Sequence, residues 1–82
     1  MEKISLSIRI PALDIDHDFI IPSTMSIMDV RQLIVNILVS EYGIKKQVNE
    51  ISLIDMVDGK ALRLDASLDQ QGVGDGAKLI LL

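Results

Sequence analysis

Residues 4–10 read ISLSIRI, and polar and apolar side chains alternate there without a break. Successive strand residues point to opposite faces, so Ile4, Leu6, Ile8 and Ile10 share one side while Ser5, Ser7 and Arg9 take the other. This is a strand with one dry face and one wet face, and the rest of the chain must supply a cover for the dry one. Pro11 ends the run because it has no N–H to give to a ladder. After a polar turn, a second strand is expected from about Ile15 to Ile21, with Ile15, His17, Phe19 and Ile21 on one face. The two read as a hairpin.

The cover follows in IPSTMSIMDVRQLIVNILVSEYGI. Ser26 suits an N-cap, and Asp29, three residues on, sits where an acid complements the helix dipole. Gly43 is placed for the C-terminal stop. At about 100° per residue, Ile27, Val30, Ile34, Ile37 and Leu38 form one apolar stripe, with Asp29, Asn36 and Ser40 nearly opposite. Met28, Val35 and Val39 form a second apolar line on the flank, for which a single helix on one sheet has no obvious use.

Residues 51–57, ISLIDMV, then Asp58-Gly59, then KALRL, read as a second hairpin, since Asp-Gly tolerates the positive φ of a tight turn. Ile54 and Asp55 interrupt the alternation, so this strand's inward set stays open. SLDQQGVGDG is a turn-rich connection, and AKLILL closes the chain as a strand over residues 77–82. The order is β-β-α-β-β-β, an α+β arrangement of one helix on one face of a mixed sheet. The first and last strands are the most apolar, which predicts that they lie centrally and run parallel.

Eighty-two residues make a single domain, 1–82, that buries only about 60–65 % of its unfolded surface. Yet 49 % of them are hydrophobic, with one Phe, one Tyr and no Trp. Some of this aliphatic content must reach the surface, where a contiguous patch marks a partner. The chain has no cysteine, which excludes disulfides, thiolate metal sites and thiol nucleophiles and fits a reducing cytoplasm. Net charge is −4 with scattered basic residues and no aromatic platform, so no nucleic acid partner is expected. No run approaches the ~20 apolar residues of a membrane span, and MEKISLSIRI lacks a signal peptide's continuous apolar stretch.

Several strings resemble ubiquitin-like β-grasp proteins: PSTMSIMDV leading into a helix ended by YGI, the hairpin DGKAL, and SLDQQGVGDGAKLILL. The resemblance covers nearly the whole chain. In the last string Leu68 and Val73 fall on ubiquitin's two buried aliphatics, and Leu79 and Leu81 on the inward residues of its final strand. Within that fold the chain looks most like the YukD/EsaB group, encoded with the type VII secretion machinery of Gram-positive bacteria. Gly74-Asp75-Gly76 and the stop at Leu82 agree with that group's ending, whereas Asp55 stands where the group tends to place an aliphatic. Either the register slips there, or a carboxylate sits at the edge of the core.

Covalent modifiers and sulfur carriers act through a C-terminal Gly-Gly, whereas this sequence ends Leu81-Leu82 with its last Gly at 76. Conjugation is therefore not expected of the chain as written. Asp14, Asp16 and Asp18 have the spacing of the first calcium-loop ligands, but Phe19 and Met25 stand where Gly and Glu are needed. Outward acids that discourage edge pairing explain them better. His17 has no second His or Cys to complete a zinc site. Ser5, Ser7, Ser23, Ser26, Ser40, Ser52 and Ser67 are accounted for by strand alternation, capping or turns. Gly72, Gly74 and Gly76 precede a strand, not the helix a phosphate cradle needs. No catalytic site, metal or cofactor is expected.

Two surfaces remain. One is the helix flank, Met28, Val35 and Val39, which is either an interface or extra core. The other is the open sheet face, where Ile80 and Leu82 alternate against Leu79 and Leu81 and fall where ubiquitin-like proteins carry a hydrophobic docking patch; Met56 is a third member if the register permits. The expectation is a cytoplasmic, non-catalytic protein-binding module, with components of a secretion machinery as partners implied by the resemblance. A homodimer using the same surfaces is the alternative.

Overall fold

The computed structural model describes residues 2–44 and 51–82. Strand β1 (Lys3–Ile10) pairs antiparallel with β2 (Ile15–Pro22) along their full lengths, from Lys3↔Pro22 to Ile10↔Ile15. A 3₁₀ turn at Pro11–Leu13 and Asp14, which takes a left-handed φ of 54°, reverse the chain between them. Asp is among the few residues with a Cβ that tolerate that conformation.

Helix α1 (Ile27–Tyr42) begins where the Ser26 hydroxyl accepts the N–H of Asp29 at 3.2 Å. It ends at Gly43, whose φ of 65° lies in the left-handed region that glycine enters most readily, with its N–H turned back to the carbonyl of Val39. Of the predicted stripe, Ile27, Val30, Ile34 and Leu38 are buried and Ile37 is half-buried.

Strands β3 (Leu53–Asp55) and β4 (Ala77–Leu81) complete a four-stranded sheet of order β2-β1-β4-β3. Strand β4 runs parallel to β1 and antiparallel to β3. The two most apolar strands thus occupy the centre, as their lack of a wet edge requires. Leu82 continues the β3–β4 ladder, exchanging bonds of 2.7 and 2.9 Å with Ser52.

The expected strand over residues 60–64 is reduced to a single bridge, Ile54↔Ala61. Lys60 and Leu62 still bond to β3, through the Asp55 N–H to the Lys60 carbonyl and the Leu62 N–H to the Leu53 carbonyl, but beyond them the backbone turns to Gln71. Its side-chain amide accepts the N–H of Arg63 at 2.7 Å and donates to the Arg63 carbonyl at 2.9 Å, standing in for a neighbouring strand. The Asp58-Gly59 pair lies in a four-residue loop closed by Asp55 N–H to the Lys60 carbonyl, with Gly59 at φ 71°. The strand before that loop is correspondingly short.

The core is one cluster between sheet and helix: Ile4, Leu6, Ile8 and Ile10 of β1, Phe19 and Ile21 of β2, the helix stripe, and Leu79 and Leu81 of β4. Leu68 and Val73, on either side of a 3₁₀ turn at Asp69–Gln71, close it from below.

Candidate docking surface

The face of the sheet away from α1 is built row by row from the strand registers. One row runs Ile54–Ile80–Arg9–Asp16 across all four strands. The next contains Lys78, Ser7 and Asp18, and Met56 joins it by donating its N–H to the Lys78 carbonyl at 3.1 Å. The face therefore divides: β3, β4 and the residue following each contribute Ile54, Met56, Ile80 and Leu82 together with Lys78, whereas β1 and β2 contribute mostly polar groups apart from Ile20.

Exposure follows the same division. Leu82 and Met56 are 60 % and 51 % exposed, and Ile80 and Ile54 are half-buried beside each other. Val57, at the tip of the loop after β3, is 91 % exposed; its N–H is held by the Asp55 carboxylate at 2.8 Å. Asp55 is thus the carboxylate at the edge of the core, engaged in shaping the loop, and the register does not slip. A groove of about 350 Å³ lined by Ser7, Arg9, Asp16, Met56, Lys78 and Leu79 separates the apolar strip from the acidic edge. Arg9 is drawn toward that edge, pairing with Asp14 and lying 3.6 Å from Asp16.

Of the sequence-predicted residues, the structure brings Ile80, Leu82 and Met56 together on this face. The helix flank divides instead. Met28 and Val39 are exposed, but Val35 is 7 % exposed and belongs to the core, a correction to its assignment as a docking residue. Arg31, one turn earlier on the same flank, donates to the Ile51 carbonyl at 3.1 Å, and Ile51 belongs to the same core cluster as Val35. Sequence reasoning left Ile54 unassigned. Its partner across the ladder, Ile80, places it at the centre of the strip.

His17 lies half-buried at the margin of the helix-facing side, stacked on Phe19 at 4.5 Å between ring centroids and 3.7 Å from the Glu41 carboxylate. Among ionisable groups, Asp65 stands out: hydrogen bonding and charge attraction from Arg63 hold its carboxyl below the usual carboxylate range. Neither residue belongs to the apolar strip.

Neither a protein-family model nor a curated protein sequence matches the chain. Solved structures do. The N-terminal ubiquitin-like domain of the 4931431F19Rik protein superposes with a TM-score of 0.80 at 22 % identity, over 98 % of this chain and 73 % of that one. Caldiarchaeum subterraneum ubiquitin gives 0.78 at 20 % identity, over 98 % and 91 %. ATBAG1, solved in complex with HSP70, gives 0.76 at 23 % identity, over 96 % of this chain and 39 % of that one. The shared property is the fold, a ubiquitin-like β-grasp with one helix on a mixed four-stranded sheet.

Proposed function

We propose that this ubiquitin-like domain is a non-catalytic protein-binding module that docks through the strip Ile54, Met56, Ile80 and Leu82. The observation that carries the reading is the segregation of the open sheet face. Apolar side chains predominate along β3 and the end of β4, although Lys78 of β4 also faces this side, and the carboxylates Asp16 and Asp18 lie on β2 beside the exposed Ile20. Fully burying one exposed Leu or Met side chain yields about 1.5–3 kcal/mol. Association itself costs about 4–15 kcal/mol, and with Met56 and Leu82 exposed but Ile54 and Ile80 already half-buried, the strip supports weak, reversible docking rather than permanent assembly.

The finer reading is a cytoplasmic accessory of a type VII secretion system. It rests on the resemblance of the stretch GVGDGAKLILL, with its Gly74-Asp75-Gly76 turn before the last strand, to the YukD/EsaB group. Affinity capture from the native host with wild-type protein, Ile80→Asp and Ile54→Asp tests both levels. Secretion components captured by wild type and lost with both variants are expected. Unrelated proteins lost with both variants would leave the docking strip standing and remove the secretion context. A concentration-dependent dimer in sedimentation, broken by the same variants, would replace the partner with a second copy.

A further inference from the structure

The sheet leaves one long backbone edge without a neighbour among the described residues. Strand β2 is outermost in the order β2-β1-β4-β3 and is eight residues long. The N–H of Ser23 donates to the carbonyl of Glu2 at 2.9 Å, which extends the β1–β2 ladder by one bonded pair. Bonded and non-bonded pairs alternate in an antiparallel ladder, so Ile15, Phe19, Ile21 and His17 bond inward to β1. Asp16, Asp18 and Ile20 turn their N–H and C=O groups outward. The opposite edge of β1 agrees with this parity, since Ser5 there bonds to Asp75 and Gly76 on the β4 side.

The free edge has defined limits. Pro22 has no N–H, and its carbonyl is taken by Met25 at 3.0 Å. The Nδ1 atom of His17 lies 3.0 Å from the Asp18 carbonyl. What remains is Asp16 N–H and C=O, Asp18 N–H, and Ile20 N–H and C=O, spaced at about 6.8 Å intervals. The side chains of these three residues stand together on the open face. Ile20 is 74 % exposed. Asp16 shares Arg9 with Asp14, and Asp18 forms no ion pair among the described residues.

We propose that this edge accepts an extended, basic segment of a partner protein as a fifth strand, with cationic side chains over Asp16 and Asp18 and an apolar one over Ile20. Backbone pairing supplies the directionality, and the acidic column selects the occupant. A second copy of the chain fits poorly. Two β2 edges would bring two acidic columns together on molecules that each carry a net charge of −4. This surface is distinct from the strip on β3 and β4.

The test is an amide NMR titration of the intact protein with the peptide acetyl-Val-Thr-Lys-Thr-Lys-Thr amide. Two control peptides accompany it: one with Glu for both Lys residues, and one N-methylated on the residues that face the edge. Shifts centred on the amides of Asp16, Asp18 and Ile20 are expected. Affinity should fall about tenfold in the double variant Asp16→Lys/Asp18→Lys and more with either control peptide. The Ile80→Ser variant, which trims the docking strip without adding charge beside Arg9 and Asp16, should bind the peptide as wild type does, which separates this surface from the docking strip. Equal binding of either control peptide, shifts confined to Ile54, Ile80 and Leu82, or no shifts at all would overturn the proposal. So would concentration-dependent shifts of the three amides without any peptide, which would assign the edge to a second copy.

Discussion

Ile54 and Ile80 stand opposite each other across the antiparallel β3–β4 pair, on the side of the sheet away from the helix. Their sequence neighbours Leu53 and Leu81 are likewise paired, but buried in the core. One ladder therefore serves two purposes: one set of side chains holds the fold and the alternate set faces outward.

Adjacent residues of β4 should respond unequally to substitution. Leu79→Ala removes a fully buried side chain and should cost about 2–5 kcal/mol, a large share of a small domain's stability. Ile80→Asp alters a half-buried residue whose neighbour in register is Arg9, and should cost about 1 kcal/mol. Urea unfolding of both variants decides this, and equal losses would contradict the assigned faces.

On the helix flank the same contrast falls between Val35 and Val39. Val35→Asp puts a charge into the core and should prevent folding. Val39→Asp lies at an exposed position and should shift stability by no more than about 0.5 kcal/mol. Circular dichroism melts are sufficient. A folded Val35→Asp protein would return that side chain to the surface.

Gln71→Ala removes both hydrogen bonds to the backbone of Arg63, each of a kind that contributes about 0.5–1.5 kcal/mol. The expected result is faster amide exchange at Arg63, while the amides of β1 and β4 keep their protection. Uniform loss of protection would make Gln71 a global determinant of the fold.

Asp65 carries a pH prediction. Arg63 lowers its carboxyl in the folded state, so whatever the pair contributes is present above the unfolded-state pKa and is lost as pH falls through the lower folded value. The pair is exposed, so salt should weaken it. In Arg63→Gln the Asp65 carboxyl should titrate higher, back toward the ordinary range, as read from its side-chain carbon shift. An unchanged titration would mean that the pair does not form in solution.

Long periodic segments were legible from sequence because one rule decides each of their residues. Ile4 to Ile10, the helix stripe with its caps at Ser26 and Gly43, and Leu79 to Leu82 all fall where period and chain chemistry place them. What was illegible depends on distant groups. Residues 60–64 look like a strand until Gln71, eight residues from Arg63, takes its backbone groups. Val35 looks like surface on a helical wheel, which cannot show that Ile51 joins the same core cluster. Ile54 sits in a three-residue strand, too short for periodicity to assign a face. Asp55 breaks the alternation because its carboxylate is needed two residues further on, at the N–H of Val57. The apolar strip on the open sheet face is therefore legible in outline, through β4, and completed only by the register of β3.

The most direct test of the docking strip is a side-chain methyl NMR titration of the protein with whichever partner it captures. Shifts at the methyl groups of Ile54, Met56, Ile80 and Leu82, with those of Val39 and Met28 unchanged, are the predicted footprint. Shifts confined to Val39 and Met28, with the four methyl-bearing side chains of the strip as in the free protein, would contradict it.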